Sequence, residues 1–270
     1  MVLKHCEKGN LRNYLNTSEC YINYGSKIDK LQQIARGLLD IHNAGLVHKD
    51  FHSGNILIDE DLSFISDLGM CQPANKKQTA KEEGIFGVLP YVAPEILRGH
   101  QYTKAADIYS FGIIMNEFLS EEIPFNDIPH DKFLAFKIYK GLRQNISENI
   151  PRLLADLIMK CWDAEIEYRT TTKELYQILT KWNEEKSDKN SELYFQVKEC
   201  DIIREKEFYN RLNKDKSINI QTHPQAIYTS RLLNFKNLCK PVNSTDLSSF
   251  FNSANPISEC LDNQLSELDD

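Results

Sequence analysis

Apolar residues recur at helical spacing along most of this chain. In residues 26–45, Ile28, Leu31, Ile34, Ala35, Leu38 and Ile41 fall on one face, and Asn43-Ala44-Gly45 supplies a stop, since glycine takes the left-handed cap conformation without a side-chain penalty. The rhythm then changes. Two short apolar runs, Ile56-Leu57-Ile58 and Phe64-Ile65, flank Asp59-Glu60-Asp61 and predict a small hairpin. Residues 70–90 mix Pro, Asn, Lys, Gln and Gly without a period and predict a long loop. Residues 105–119 are apolar nearly all round, the mark of a buried helix. Helical patterns return near 131–142, 150–162 and 171–183. Long helices with one early hairpin predict an α+β protein dominated by its helices, and there is no internal repeat.

The pattern shifts after about Glu184. Residues 184–216 are dense in charge but predict an amphipathic helix through Leu193, Val197, Ile202 and Phe208. Residues 221–238 mix apolar anchors with polar spacing, and two readings stay open: docking back on the preceding domain, or recruitment of a partner protein. Residues 241–270 hold six acids, no Lys or Arg, and many Ser and Asn, a composition that favours disorder.

Composition narrows the function classes. With 270 residues, 41% hydrophobic and 26% charged, the chain can form one globular domain plus extensions. A net charge of −7 argues against nucleic acid as the main partner, because phosphate backbones need a concentrated basic face. No apolar run reaches the roughly 18 residues a membrane helix needs, and Met1-Val2-Leu3-Lys4-His5-Cys6 does not read as a signal peptide. Seven cysteines without a CxxC pair or metal-ligand spacing point to reduced thiols and a cytoplasmic location.

The chemistry concentrates in Val47-His48-Lys49-Asp50-Phe51-His52-Ser53-Gly54-Asn55-Ile56-Leu57, followed twelve residues after Asn55 by Asp67-Leu68-Gly69. Phosphoryl transfer needs oxygen ligands for Mg²⁺ and a carboxylate near the accepting hydroxyl. An Asp and an Asn five positions apart, with a second Asp beyond a tight hairpin, can converge on one such site.

The set resembles the signature of eukaryotic-type protein kinases: H-R-D-x4-N, D-F-G and A-P-E. Here these stand as His48-Lys49-Asp50 with Asn55, Asp67-Leu68-Gly69 and Ala93-Pro94-Glu95, with Asp107-Ile-Tyr-Ser-Phe-Gly112 and Arg169 following in family order. The resemblance covers residues 1 to about 183. It implies a protein-kinase-like fold represented mainly by its α-helical C-terminal lobe, over 1–183; composition adds a charged, partly helical extension over 184–240 and an acidic tail over 241–270. The resemblance also implies roles. Asp50 would orient the substrate hydroxyl and accept its proton; Asn55 and Asp67 would hold Mg²⁺; Leu57 would pack beneath the adenine of ATP. The opening residues resemble the hinge between lobes, with Leu3 as gatekeeper and Lys4 to Cys6 offering backbone groups to adenine. Asp107 and Arg169 are structural in the family, and Arg169 is expected to pair with Glu95. The partner class implied is a protein substrate with a hydroxyl acceptor.

Departures from the pattern qualify that reading. The 270 residues contain no G-x-G-x-x-G loop, no V-A-I-K lysine and no helix glutamate to pair with it, so this chain alone is expected to bind Mg-ATP weakly and transfer phosphate slowly. Lys49 replaces the H-R-D arginine and cannot grip a phosphate bidentately. His52 stands where Ser/Thr kinases usually carry a Lys, and Gly87-Val88-Leu89-Pro90 lacks their usual Thr, so the acceptor stays open. The hinge and central helix resemble the tyrosine-kinase-like Ser/Thr group, which favours Ser/Thr. Thr79 is the only hydroxyl residue between Met70 and Tyr91 and is the obvious site for activation-loop phosphorylation. Two other readings stand beside the kinase: a pseudokinase or interaction module, and the small-molecule phosphotransferases related to aminoglycoside kinases, which lack A-P-E and the Asp107 and Arg169 features.

Overall fold

The computed structural model describes residues 6–76, 84–213 and 222–233. Among these are eight α-helices and three two-stranded antiparallel sheets, a mixed α+β architecture in which helices make the core. Helix α1 (Leu11–Thr17) starts at Asn10, whose side chain accepts from the Asn13 N–H. Helix α2 (Tyr24–Asn43) is capped the same way by Asn23 and buries Tyr24, Ile28, Leu31, Ile34, Ala35 and Leu38. Gly45 follows with φ of +77°, as the stop signal requires. The expected hairpin forms from β2 (Ile56–Asp59) and β3 (Leu62–Ile65), with Leu57 opposite Phe64.

Residues 70–90 depart from a plain loop. β1 (Leu46–Val47) pairs with β4 (Gln72–Pro73), and β5 (Ile85–Gly87) pairs with β6 (Arg231–Leu233). These strands are two or three residues long and draw their stability from the partner strand, so no local period announces them. After α3 (Pro94–Leu97), the central helix α4 (Lys104–Ser120) is buried on all sides. At Gly112 it passes so close to the next layer that an added Cβ would sit 2.8 Å from Cys161 Cβ. Helices α5 (Lys132–Tyr139), α6 (Arg152–Cys161) and α7 (Thr172–Glu185) complete the bundle, α7 opening with a reciprocal capping box between Thr171 and Glu174.

Helix α8 (Glu192–Asn213) forms where amphipathicity predicted it, and the expected stripe fails at one position. Leu193 and Val197 are buried, whereas Ile202 is 64% exposed. The inward stripe instead continues through Asp201 and Arg204. Asp201 accepts from Tyr21 Oη at 2.7 Å and the Tyr24 N–H at 2.9 Å, and Arg204 donates to the Ser120 carbonyl at 2.7 Å. Polar anchoring at the end of α4 thus outweighs burial of one isoleucine. No helix among the described residues is long and apolar enough to cross a membrane.

Glu121, left-handed at φ of 61°, ends α4 and gathers three cations: Lys27 at 2.8 Å, Arg211 at 2.9 Å and Arg204 at 3.5 Å. Burial pushes its carboxyl up, but Lys27 and Arg204 outweigh that and hold it below the ordinary glutamate range. The unfolded chain therefore takes up this proton first as pH falls. The stabilisation is complete above about pH 4.3 and is lost as pH drops through the lower folded value. Glu121→Gln is expected to cost about 2 kcal/mol at neutral pH, with the gap to the parent closing in acid. Urea denaturation of both proteins across that range checks it; a gap that widens in acid would rule it out.

Candidate active site

The loop after β1 is fixed from behind by Asp107 in the first turn of α4. Asp107 Oδ2 accepts from the His48 N–H and from His42 Nε2, both at 2.8 Å, and Oδ1 accepts from the Lys49 N–H at 3.1 Å. His42 is held in turn by Thr172 Oγ1 at 2.5 Å. With both oxygens engaged, the carboxylate sets the backbone through Lys49, which sits at φ of 71°, a conformation a lysine adopts only when its surroundings impose it. The next side chain, Asp50, is 4% exposed.

Four side chains surround the Asp50 carboxylate. Asn55 Nδ2 donates to the Asp50 carbonyl at 2.9 Å and lies 3.4 Å from Oδ2. Ser230 Oγ donates to Oδ2 at 2.5 Å. His52 Nε2 stands 3.7 Å from Oδ1 and 3.4 Å from Ser230 Oγ. Because His52 Nδ1 accepts from the Gly54 N–H at 3.1 Å, the neutral ring carries its proton on Nε2, facing this pair. His48 lies farther back, its Nε2 donating to the Ser66 carbonyl at 3.1 Å. Burial pushes the Asp50 carboxyl up, but His52, Ser230 and His48 more than offset it, and the group is held below the ordinary aspartate range. It is a carboxylate at neutral pH.

Asn55 and Asp67 are joined through the backbone. The Ser66 N–H and Oγ both donate to the Asn55 carbonyl, at 2.8 and 3.0 Å, and Asp67 follows in the left-handed conformation, φ 55° and ψ 62°. Its side chain caps nothing and is exposed. With the Asn55 amide nitrogen turned to Asp50, its Oδ1 is left as a neutral oxygen donor, and Asp67, one residue after Ser66, supplies carboxylate oxygens. Among the described residues no group of three or more His, Cys, Asp and Glu side chains is arranged to hold a metal. One amide oxygen and one carboxylate instead suit a hard cation that keeps waters and phosphate oxygens as its other ligands, so the residues present fit Mg²⁺.

Of the residues expected at the adenine side, Leu3 and Lys4 lie outside the described residues, as does Thr79. Cys6 closes a turn by accepting from the Gly9 N–H at 3.1 Å. Gly9 and Asn10 then run beside β2, where the Ile58 N–H donates to the Gly9 carbonyl at 2.9 Å and Asn10 bridges Leu57. The segment after Cys6 and the half-buried Leu57 are thus neighbours.

Glu95 and Arg169 form the expected pair, a bidentate fork with 2.7 and 2.8 Å bonds and both side chains almost fully buried. A second buried network was not foreseen. Tyr91 Oη donates to Glu117 Oε2 at 2.6 Å, Ser53 Oγ donates to Glu117 Oε1 at 3.0 Å, and Arg12 reaches Ser53, Tyr91 and Glu117 at 2.9–3.3 Å. It ties α1, the catalytic-type loop and the activation-type segment to α4. Its one trace in the sequence is Glu117, a charge in the largely apolar second half of α4. Burial, and after it the Glu117 carboxylate, drive the Tyr91 phenol far above its ordinary range, so it stays a donor.

Comparison with known proteins agrees with this geometry. Residues 1–179 match the family model described as protein tyrosine and serine/threonine kinase. A protein of Acanthamoeba polyphaga mimivirus that carries the name serine/threonine-protein kinase/receptor is 32% identical over 66% of this chain and 11% of its own length. The serine/threonine/tyrosine-protein kinase HT1 of Arabidopsis thaliana is 27% identical over 68% of this chain and 47% of its own. The dual specificity protein kinase shkA of Dictyostelium discoideum is 29% identical over 63% of this chain and 33% of its own. The chain spans at most about half the length of these relatives. With the family model covering the whole stretch that carries Asp50, Asn55, Asp67, Glu95, Asp107 and Arg169, the chain belongs to the protein tyrosine and serine/threonine kinase family.

Proposed function

We propose that this chain is the acceptor-side lobe of an ATP-dependent protein kinase acting on serine or threonine hydroxyls. The observation that carries the reading is the Asp50 carboxylate, buried, ionised and 2.5 Å from a serine hydroxyl of the protein itself. That is hydrogen-bond reach for a general base. Asp50 would orient the acceptor and take its proton, and the His52 Nε2–H would hold the carboxylate in place. Asn55 Oδ1 and the Asp67 carboxylate would hold Mg²⁺, which when bound neutralises charge on the phosphates. Leu57, with Leu3 and the backbone of Lys4 to Cys6, would cradle the adenine. Positioning and charge stabilisation are nearly all a kinase contributes to this reaction. The given residues contain no glycine-rich loop or phosphate-binding lysine, so by themselves they would transfer phosphate slowly. A signalling role follows from this reading, and seven cysteines without a CxxC pair support a cytoplasmic location.

The test is γ-phosphate transfer to a protein substrate by this chain alone and by this chain joined to the glycine-loop lobe of a related kinase. The joined form is expected to transfer phosphate with Mg²⁺ and to stop when EDTA removes it. Failure of a correctly folded joined form would favour an interaction module instead.

A further inference from the structure

Residues 222–233 lie across the face of the site, with a turn at 224–225 closed by the Ala226 N–H on the His223 carbonyl and strand β6 at their end. The His223 N–H donates to the Asn126 carbonyl at 2.7 Å, and the His130 N–H donates to the Gln225 carbonyl at 2.9 Å. Tyr228 donates to the Pro124 carbonyl at 2.8 Å, takes the Arg12 guanidinium on its ring face at 4.3 Å and meets the His130 ring edge-on at 4.8 Å. Ser230 then meets Asp50. Arg231 donates to the His130 carbonyl, and Arg231, Leu232 and Leu233 pair antiparallel with Gly87, Phe86 and Ile85. Leu233 is buried and joins the hydrophobic core. Leu232 lies over Gly84, where an added Cβ would stand 2.6 Å from its terminal methyl, so the glycine makes room for it.

Strand addition at Arg231–Leu233 and side-chain anchoring of Tyr228 and Leu233 on either side of Ser230 together fix the register. The register puts one hydroxyl, and no other, on the carboxylate that the preceding section reads as the base. Thr229, one residue earlier, makes no such contact. We propose that residues 222–233 are the chain's own acceptor segment and that Ser230 is a site of phosphorylation in cis, an inference that rests on the kinase reading of Asp50. In the step, Ser230 Oγ attacks the γ-phosphorus of a nucleoside triphosphate as its proton passes to Asp50. The bond from the γ-phosphorus to the bridging oxygen breaks, and the nucleoside diphosphate leaves with that electron pair. The product is a phosphoserine of charge near −2 against a carboxylate. Like-charge repulsion then drives the segment off and frees the groove. Before that step the segment excludes other substrates, and its anchors define the external substrate class: a serine with an aromatic residue two positions before it and leucine three positions after.

Two measurements test the proposal separately from the kinase reading. The first needs no nucleotide. Amide hydrogen exchange at residues 85–87 of the full chain is compared with that of the Leu233→Asp chain, with the amides of α4 as the folding control. Exchange at 85–87 is expected to quicken at least tenfold in the variant while α4 is unchanged; equal rates would overturn the docking. The second uses the lobe-joined chain with Mg-ATP and a peptide of sequence Tyr-Thr-Ser-Arg-Leu-Leu. Peptide mapping is expected to find phosphate on Ser230 at a rate independent of protein concentration. Ser230→Ala should phosphorylate the peptide more slowly than the parent, because no phosphate can drive its segment off, and Leu233→Asp should do so several-fold faster than the parent. Transfer to the peptide but never to Ser230 would overturn the acceptor assignment and leave the kinase reading standing. No transfer to any acceptor would reject both.

Discussion

Arg169→Ala is expected to lower the thermal midpoint of the chain by about 10 °C. The substitution leaves the Glu95 carboxylate, 3% exposed, without its cation. It also strips the Ala105 and Asp163 carbonyls of donors at 3.0 and 2.8 Å. Breaking a buried pair by removing one partner costs about 3–5 kcal/mol, and in a chain of this size each kcal/mol moves the midpoint by about 2–4 °C. Arg169→Lys should fall between, because an ammonium cannot reproduce the two parallel bonds of the fork. Replacing both partners by apolar residues, Glu95→Leu with Arg169→Met, should recover much of the loss, since neither variant then holds an unpaired charge. Calorimetry on the four proteins separates these outcomes, and an unchanged midpoint for Arg169→Ala would show that the fork contributes nothing net.

Asp50→Asn in the lobe-joined chain is expected to reduce the rate of phosphate transfer by about 10²–10⁴, the usual contribution of a positioned general base. The amide keeps an oxygen that can accept from Ser230 and Asn55, so the fold and the KM for ATP should hardly move while kcat falls. The ionised state of Asp50 adds a second signature. Its carboxyl is held below the ordinary aspartate range, so the acid limb of the pH–rate profile in the parent should lie below about pH 4, and the residual activity of Asp50→Asn should lack that limb. Transfer at parental rate by the variant would remove Asp50 from the mechanism.

What could be read in the sequence, and what could not, follows from the kind of interaction involved. The periods of α2, α4, α6 and α7 are set by burial of one face or all faces, and they were legible to within a few residues. The placement of Asp50 and Asn55 on one loop, with Asp67 just beyond a tight hairpin, was legible from their spacing, while their roles belong to the proposed function. Helix α1 begins where the hinge-like residues end and was not anticipated, although the Asn10 cap is a local signal that could have revealed it. On α8 Ile202 was misplaced because Asp201 and Arg204 anchor that part of the helix, and their partners on α2 and at the end of α4 are far away in sequence. The pairing of β5 with β6 joins residues almost 150 positions apart through three residue pairs, and no local pattern can specify such a match.

The cation cluster on Glu121 bears on where this protein can be cut. The kinase family match ends at residue 179, and a truncation there would look natural from the family alone. Yet Arg204 and Arg211, both beyond that point, complete the shell around Glu121, and Arg204 also donates to the Ser120 carbonyl at the buried end of the central helix. Asp201 likewise satisfies the first turn of α2. Removing α8 would strand carbonyl, amide and carboxylate groups that the family domain cannot satisfy by itself. The unit that melts cooperatively therefore extends at least through α8, and a fragment ended at the family boundary would be prone to aggregate.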